Sequence, residues 1–210
     1  MPSDRLAERI ARCVGGLALF ASGIACLIAA ELGAAPWDVF HQGLNELTGV
    51  PIGTLIVITG VVVLLAWIPL HERPGLGTLL NAFEIGLVVN LVLPRLPEPD
   101  ALVPRAAMLV GGLLAVAVGS GLYIGAGLGP GPRDGLMTGL ARRGMSLRVA
   151  RTGIEVTMLL AGLALGGTAG VGTAAFAFGI GPLVQVMLPR LRMREPGELR
   201  VVPVRQYGET

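Results

Sequence analysis

Six stretches of this chain are apolar for about the 20 residues that a helix needs to cross a bilayer, and no other feature limits its fold as strongly. They run from Cys13 to Gly33, Pro51 to Leu70, Gly77 to Pro94, Ala106 to Gly129, Thr152 to Thr168 and Val171 to Pro189. In lipid a backbone must satisfy its own hydrogen bonds, so runs this long and continuous are expected to be helical. Charged residues make up only 14% of the chain, against roughly 25% in soluble domains. The expected fold is therefore all-α, a polytopic membrane helix bundle of six transmembrane helices.

Arg5, Arg9 and Arg12 precede the first apolar run, as in a secretory signal. That run exceeds the roughly 7–15 apolar residues of such a signal and recurs later in the chain, so it is read as a retained helix. With six spans and the N-terminus inside, the inner segments hold 14 of the 16 arginines, and only Arg95 and Arg105 fall outside. The positive-inside rule then puts both termini in the cytoplasm.

The chain also resembles itself. At an offset of 96 residues, 13 of the 30 positions from 15 to 44 are identical, among them Leu32–Gly33 with Leu128–Gly129, Pro36 with Pro132 and Asp38 with Asp134. At an offset of 95, 12 of the 22 positions from 75 to 96 agree, including Gly75, Gly77 and Thr78 with Gly170, Gly172 and Thr173. Each copy holds three expected spans, so the second enters the membrane from the opposite face. Inverted-topology repeats of this kind are typical of secondary transporters, whose sites lie near the midplane between the halves. The organisation expected is a cytoplasmic N-terminus (1–12), membrane repeat 1 (13–96), an external linker (97–105), membrane repeat 2 (106–191) and a cytoplasmic tail (192–210).

The repeated core reads Gly33-Ala34-Ala35-Pro36-Trp37-Asp38 and Gly129-Pro130-Gly131-Pro132-Arg133-Asp134. Proline at a first helical position gives up no needed donor, and an acidic residue two further on suits the positive end of a helix. Each copy is thus expected to start a short half-helix, from Pro36 to about Thr48 and from Pro132 to about Arg143. Such an element can lie flat at the interface, or re-enter and aim its free amides at an anion, a cation or a proton.

Ionisable groups inside spans are functional candidates. Glu84 lies in the third span, with Asn81 three residues before it on the same expected face. Arg151 and Glu155 have the spacing of an intrahelical pair. The candidate substrate- or ion-binding residues are Pro36, Trp37, Asp38, Asn81, Glu84, Pro132, Arg133, Asp134, Arg151 and Glu155. Asn90 and Gln185 read as interhelical hydrogen-bond partners. No metal site or cofactor is expected, since His41 and His71 fall toward opposite faces. No basic stripe suits a nucleic acid, and no catalytic set suggests an enzyme. Cys13 and Cys26 read as packing residues.

Gly127-Leu128-Gly129-Pro130-Gly131-Pro132-Arg133-Asp134-Gly135-Leu136-Met137 resembles the signature of the YczE/YyaS/YitT family of bacterial integral membrane proteins. Pro36-Trp37-Asp38-Val39-Phe40 with Gly43-Leu44, and Gly75-Leu76-Gly77-Thr78-Leu79-Leu80-Asn81, are similar to its YczE-like branch. The resemblance implies a bacterial inner-membrane protein of five or six spans and carries no activity with it. The functional expectation is a small-solute or ion transporter or channel at the repeat interface. The alternatives are a non-transporting accessory protein that organises a complex, and a substrate-capture subunit of an ATP-driven importer. The lipid bilayer is the expected partner, along with a second copy of the chain in a homodimer that shields the polar third span.

Overall fold

A computed structural model describes residues 5–193, so the tail expected from 192 lies outside the described residues from 194 onward. The chain forms α1 (Leu6–Ala29), α2 (Pro36–Thr48), α3 (Ile52–Leu70), α4 (Leu76–Val92, prolonged by a 3-10 turn over Leu93–Arg95), α5 (Leu102–Gly125), α6 (Pro132–Ala141), α7 (Leu147–Ala164) and α8 (Val171–Leu191). Among the described residues there is no strand. Five helices are long and apolar enough to cross a membrane: α1, α3, α4 with its turn, α5 and α8. The sixth expected span does not join them. Its helix, α7, starts at Leu147 rather than Thr152 and so takes in Arg148 and Arg151 in addition to Glu155.

At the centre α1 and α5 lie antiparallel with glycine against glycine. A Cβ on Gly119 would stand 2.6 Å from the Gly16 carbonyl, and one on Gly23 would stand 2.7 Å from the Gly112 carbonyl. Gly16 and Gly112 are equivalent under the 96-residue offset, as are Gly23 and Gly119, so the two contacts exchange. The ends of these helices are tied in the same paired manner. Gly77 N–H donates to the Leu128 carbonyl at 2.8 Å, and its equivalent Gly172 N–H donates to Leu32 at 2.7 Å. Just past those carbonyls, Gly33 and Gly129 take φ of +100° and +122°, a left-handed conformation that L side chains resist. These turns send α2 and α6 back toward the middle of the bundle.

The short helices are seated by size-matched pairs. The Trp67 ring of α3 fills the space a side chain at Gly135 of α6 would need, while Gly162 of α7 lies against the backbone of Val39 and Phe40 in α2. The pairing fails at one place. The start of α3 is bound to α4, with Gly53 N–H donating to Asn90 Oδ1 and Asn90 Nδ2 donating to Thr54 Oγ1, both at 2.9 Å. In the other half, α7 packs on α2 and α6 and stands away from α8. Asn90 is thus an interhelical partner, whereas Gln185 at the equivalent position faces the space left between α7 and α8.

Arginines tie helix ends. Arg9 donates to the Ala126 carbonyl at 2.9 Å and Arg12 to that of Leu191 at 3.1 Å. Arg105 donates to the Ala30 carbonyl at 3.0 Å and pairs with Glu31.

The central contact yields a matched pair of variants. Gly119→Ala should destabilise the protein by about 1–3 kcal/mol, as overpacked interiors do, because its Cβ meets backbone. Gly111→Ala, where a Cβ meets nothing within 4 Å, should leave stability within about 0.5 kcal/mol of the parent. Thermal unfolding of the detergent-purified variants measures both, and equal losses would refute the close α1–α5 contact.

Candidate functional site

Both short helices start as expected, with Pro36 and Pro132 in the first turn and Asp38 and Asp134 two residues on. These starts come together although the turns feeding them lie at opposite ends of the bundle. The Arg133 guanidinium carbon sits 4.6 Å from the centre of the Trp37 ring, a cation–π contact. Trp67 fixes the α6 start, its indole N–H donating to the Pro132 carbonyl at 3.0 Å. Thr78 does the same for the preceding turn, donating to Pro130 at 2.7 Å.

In front of the two starts lies a cavity of about 320 Å³. Nine of the ten candidate residues line it: Pro36, Trp37, Asp38, Asn81, Pro132, Arg133, Asp134, Arg151 and Glu155. Glu84 does not. On α4 the cavity row is Asn81 and Ile85, one turn apart, and Glu84 lies off that line, half-buried. The sequence also missed Tyr123 and Gln185, which line the cavity as well. Tyr123 is one aromatic ring in a glycine-rich span, with no local signal of its role.

The cavity is polar on one side and apolar on the other. Phe20, Ile24, Ile56, Val116, Phe176 and Ile180 are among its apolar walls. Its charged lining consists of Arg133, Arg151, Asp38, Asp134 and Glu155, so the carboxylates outnumber the guanidinium groups by one. Arg151 and Glu155 form the expected pair at 3.1 Å, and Arg151, half-exposed, marks the mouth. Arg133 reaches none of these carboxylates. Among the described residues it makes no hydrogen bond, and its side chain is held by the Trp37 face alone. Asp134 accepts from the Tyr123 hydroxyl at 3.2 Å. Protein surrounds Asp134, yet water reaches it, because the space ahead of its carboxylate is the cavity itself.

Three neighbouring buried groups lack partners. The Trp37 indole N–H, both Asp38 oxygens and both His41 ring nitrogens make no hydrogen bond among the described residues. The Asp38 carboxylate therefore does not cap its own helix, contrary to the simplest reading of the motif. His41 Nδ1 stands 3.9 Å from Asp38 Oδ1. Among the described residues, no three His, Cys, Asp or Glu side chains gather as a metal site would require.

Comparison with known proteins places residues 7–189 in a match to a family of unknown function, DUF6198. A protein of Haemophilus influenzae called an uncharacterized protein is 39% identical over 173 residues, covering 82% of this chain and 79% of the relative. The uncharacterized membrane protein YczE of Bacillus subtilis is 33% identical over 182 residues, covering 83% of each. No solved structure matches.

Trp67 and Trp37 should respond differently to truncation. Trp67→Phe removes a buried hydrogen bond to the Pro132 carbonyl, which should cost about 0.5–1.5 kcal/mol. Trp37→Phe removes no such bond and should cost clearly less. Thermal midpoints in one detergent compare the two, and a Trp37→Phe loss as large as that of Trp67→Phe would contradict these hydrogen-bond assignments.

Proposed function

The chain belongs to the DUF6198 family and is a multi-pass membrane protein related to YczE, and we propose that it is a small-solute transporter or channel. The observation that carries this reading is the cavity at the meeting point of the two Pro-x-Asp helix starts. A half-helix lying flat at a membrane surface would have no reason to meet its counterpart from the other end of the bundle. Irregular backbone and helix starts inside a membrane are tolerated where they line a cavity, and in transporters such starts form the substrate site.

We read the chain as six crossings in two inverted halves. The contacts that exchange under the sequence offsets support this, as does the position of the α7 charges. Arg151 and Glu155 line the cavity, so a helix too polar for lipid by composition can cross with that face turned inward. In the orientation set by the arginine count, both termini are cytoplasmic in a bacterial inner membrane. The mouth at Arg151 and Glu155 then belongs to the cytoplasmic side, where α7 begins. The closed α3–α4 contact and the open α7–α8 gap would be two positions of one mechanism, which exchange as the site turns to the other face.

Cysteine accessibility tests the reading. In a background with Cys13 and Cys26 replaced by alanine, Asp134→Cys should react with a small membrane-impermeant thiol reagent in inside-out vesicles, and more slowly in right-side-out vesicles. Gly111→Cys, in the open space outside the bundle, should stay unlabelled. Failure of Asp134→Cys to react from either side would mean a packed, dry interior, and the transport reading would fall.

A further inference from the structure

Resting on the reading of the cavity as a solute site, we propose that it takes a small apolar zwitterion, an α-amino acid with an apolar side chain. The lining contains uncommitted groups of both signs, close together. Arg133 lies over Trp37 without a hydrogen bond among the described residues, so its planar set of N–H donors is free for a carboxylate, which it can hold through two bonds. The Trp37 indole N–H is a second free donor beside it, 5% exposed and also lining the cavity. A buried donor without a partner is costly to keep, and a ligand acceptor would relieve that cost.

The next residue along, Asp134, accepts from Tyr123 through one oxygen and lines the water-accessible cavity as an exposed carboxylate. That carboxylate suits an ammonium group. Beyond these groups the walls are apolar, from Ile24 and Ile56 to Phe176 and Ile180. A volume of about 320 Å³ is at the low end of small-molecule sites, roughly 300–1,000 Å³.

Simpler ligands fit less well. A bare cation would leave Arg133 and Trp37 without acceptors and would press one more positive charge on the guanidinium. A simple carboxylate would add to the excess of Asp38, Asp134 and Glu155 over the two arginines that line the same space. A zwitterion answers both sets and adds no net charge.

The test uses the full chain in lipid nanodiscs and three probes that share one branched side chain. L-Leucine carries both charges, leucine methyl ester only the ammonium, and 4-methylpentanoate only the carboxylate. Ligand-dependent thermal shifts give their affinities. Leucine should bind about 10- to 100-fold tighter than either relative, the weight of one charge-assisted hydrogen bond. Arg133→Gln should bring leucine down to the level of the ester while leaving the ester unchanged. Asp134→Asn should bring leucine down to the level of 4-methylpentanoate.

An ester that binds the parent as tightly as leucine overturns the proposal in favour of a cation site, and no shift with any of the three also overturns it. These results are read on the parent protein, so they stand even if a variant fails to fold. Thiol labelling of Asp134→Cys separates the two readings. A labelled, hydrated cavity that ignores leucine overturns the zwitterion and leaves transport standing, whereas an unlabelled one removes both.

Discussion

The close approach of α1 and α5 is the contact on which the rest of the bundle depends. Lipid tails are as apolar as leucine, so helices in a membrane gain little from hiding apolar surface and associate through packing and hydrogen bonds. Gly16, Gly23, Gly112 and Gly119 remove the side chains that would hold two backbones apart. Once those helices touch, the positions of their ends follow. The Leu32 and Leu128 carbonyls come within reach of the Gly172 and Gly77 amides, and the left-handed turns at Gly33 and Gly129 aim both short helices inward.

The cavity exists because the two halves do not close alike. In the first, Asn90 reaches into the beginning of α3 and ties α3 to α4. In the second, Gln185 has no such seat, and α7 leans on α2. A polar side chain that serves packing in one half is thereby left facing water in the other. The difference in glycine placement acts in the same direction. Trp67 fills the niche beside Gly135, while Gly162 lets α2 press directly on α7.

Much of this was legible in the sequence. Apolar runs marked the helices, and the punctuation of Gly33–Pro36 and Gly129–Pro132 marked the short ones closely, because proline and glycine act locally. Positions that depend on neighbours were harder to read. The α7 boundary moved because Arg151, in the second turn, lines a polar cavity that the sequence does not display. Asn81 and Glu84 share a broad helix face, yet the row that faces the cavity is narrower than the i,i+3 rule resolves. Arg133 was counted among loop arginines although it turns inward over Trp37. Trp37 and Arg133 occupy equivalent positions that differ between the copies, so a search for repeated identity passes over the pair through which the halves meet.

The cross-tied ends have a consequence for how the protein is made. A ribosome completes the first half while the second is still unsynthesised. During that interval the Leu32 carbonyl and the Gly77 amide face a bilayer without their eventual partners, at a free-energy cost for each unpaired backbone group. The early half is thus an unfinished surface, suited to being shielded by insertion machinery until Leu128 and Gly172 emerge. Assembly becomes a matter of timing as much as of sequence, with the stretch of chain up to Leu128 and Gly172 setting how long the first half must wait.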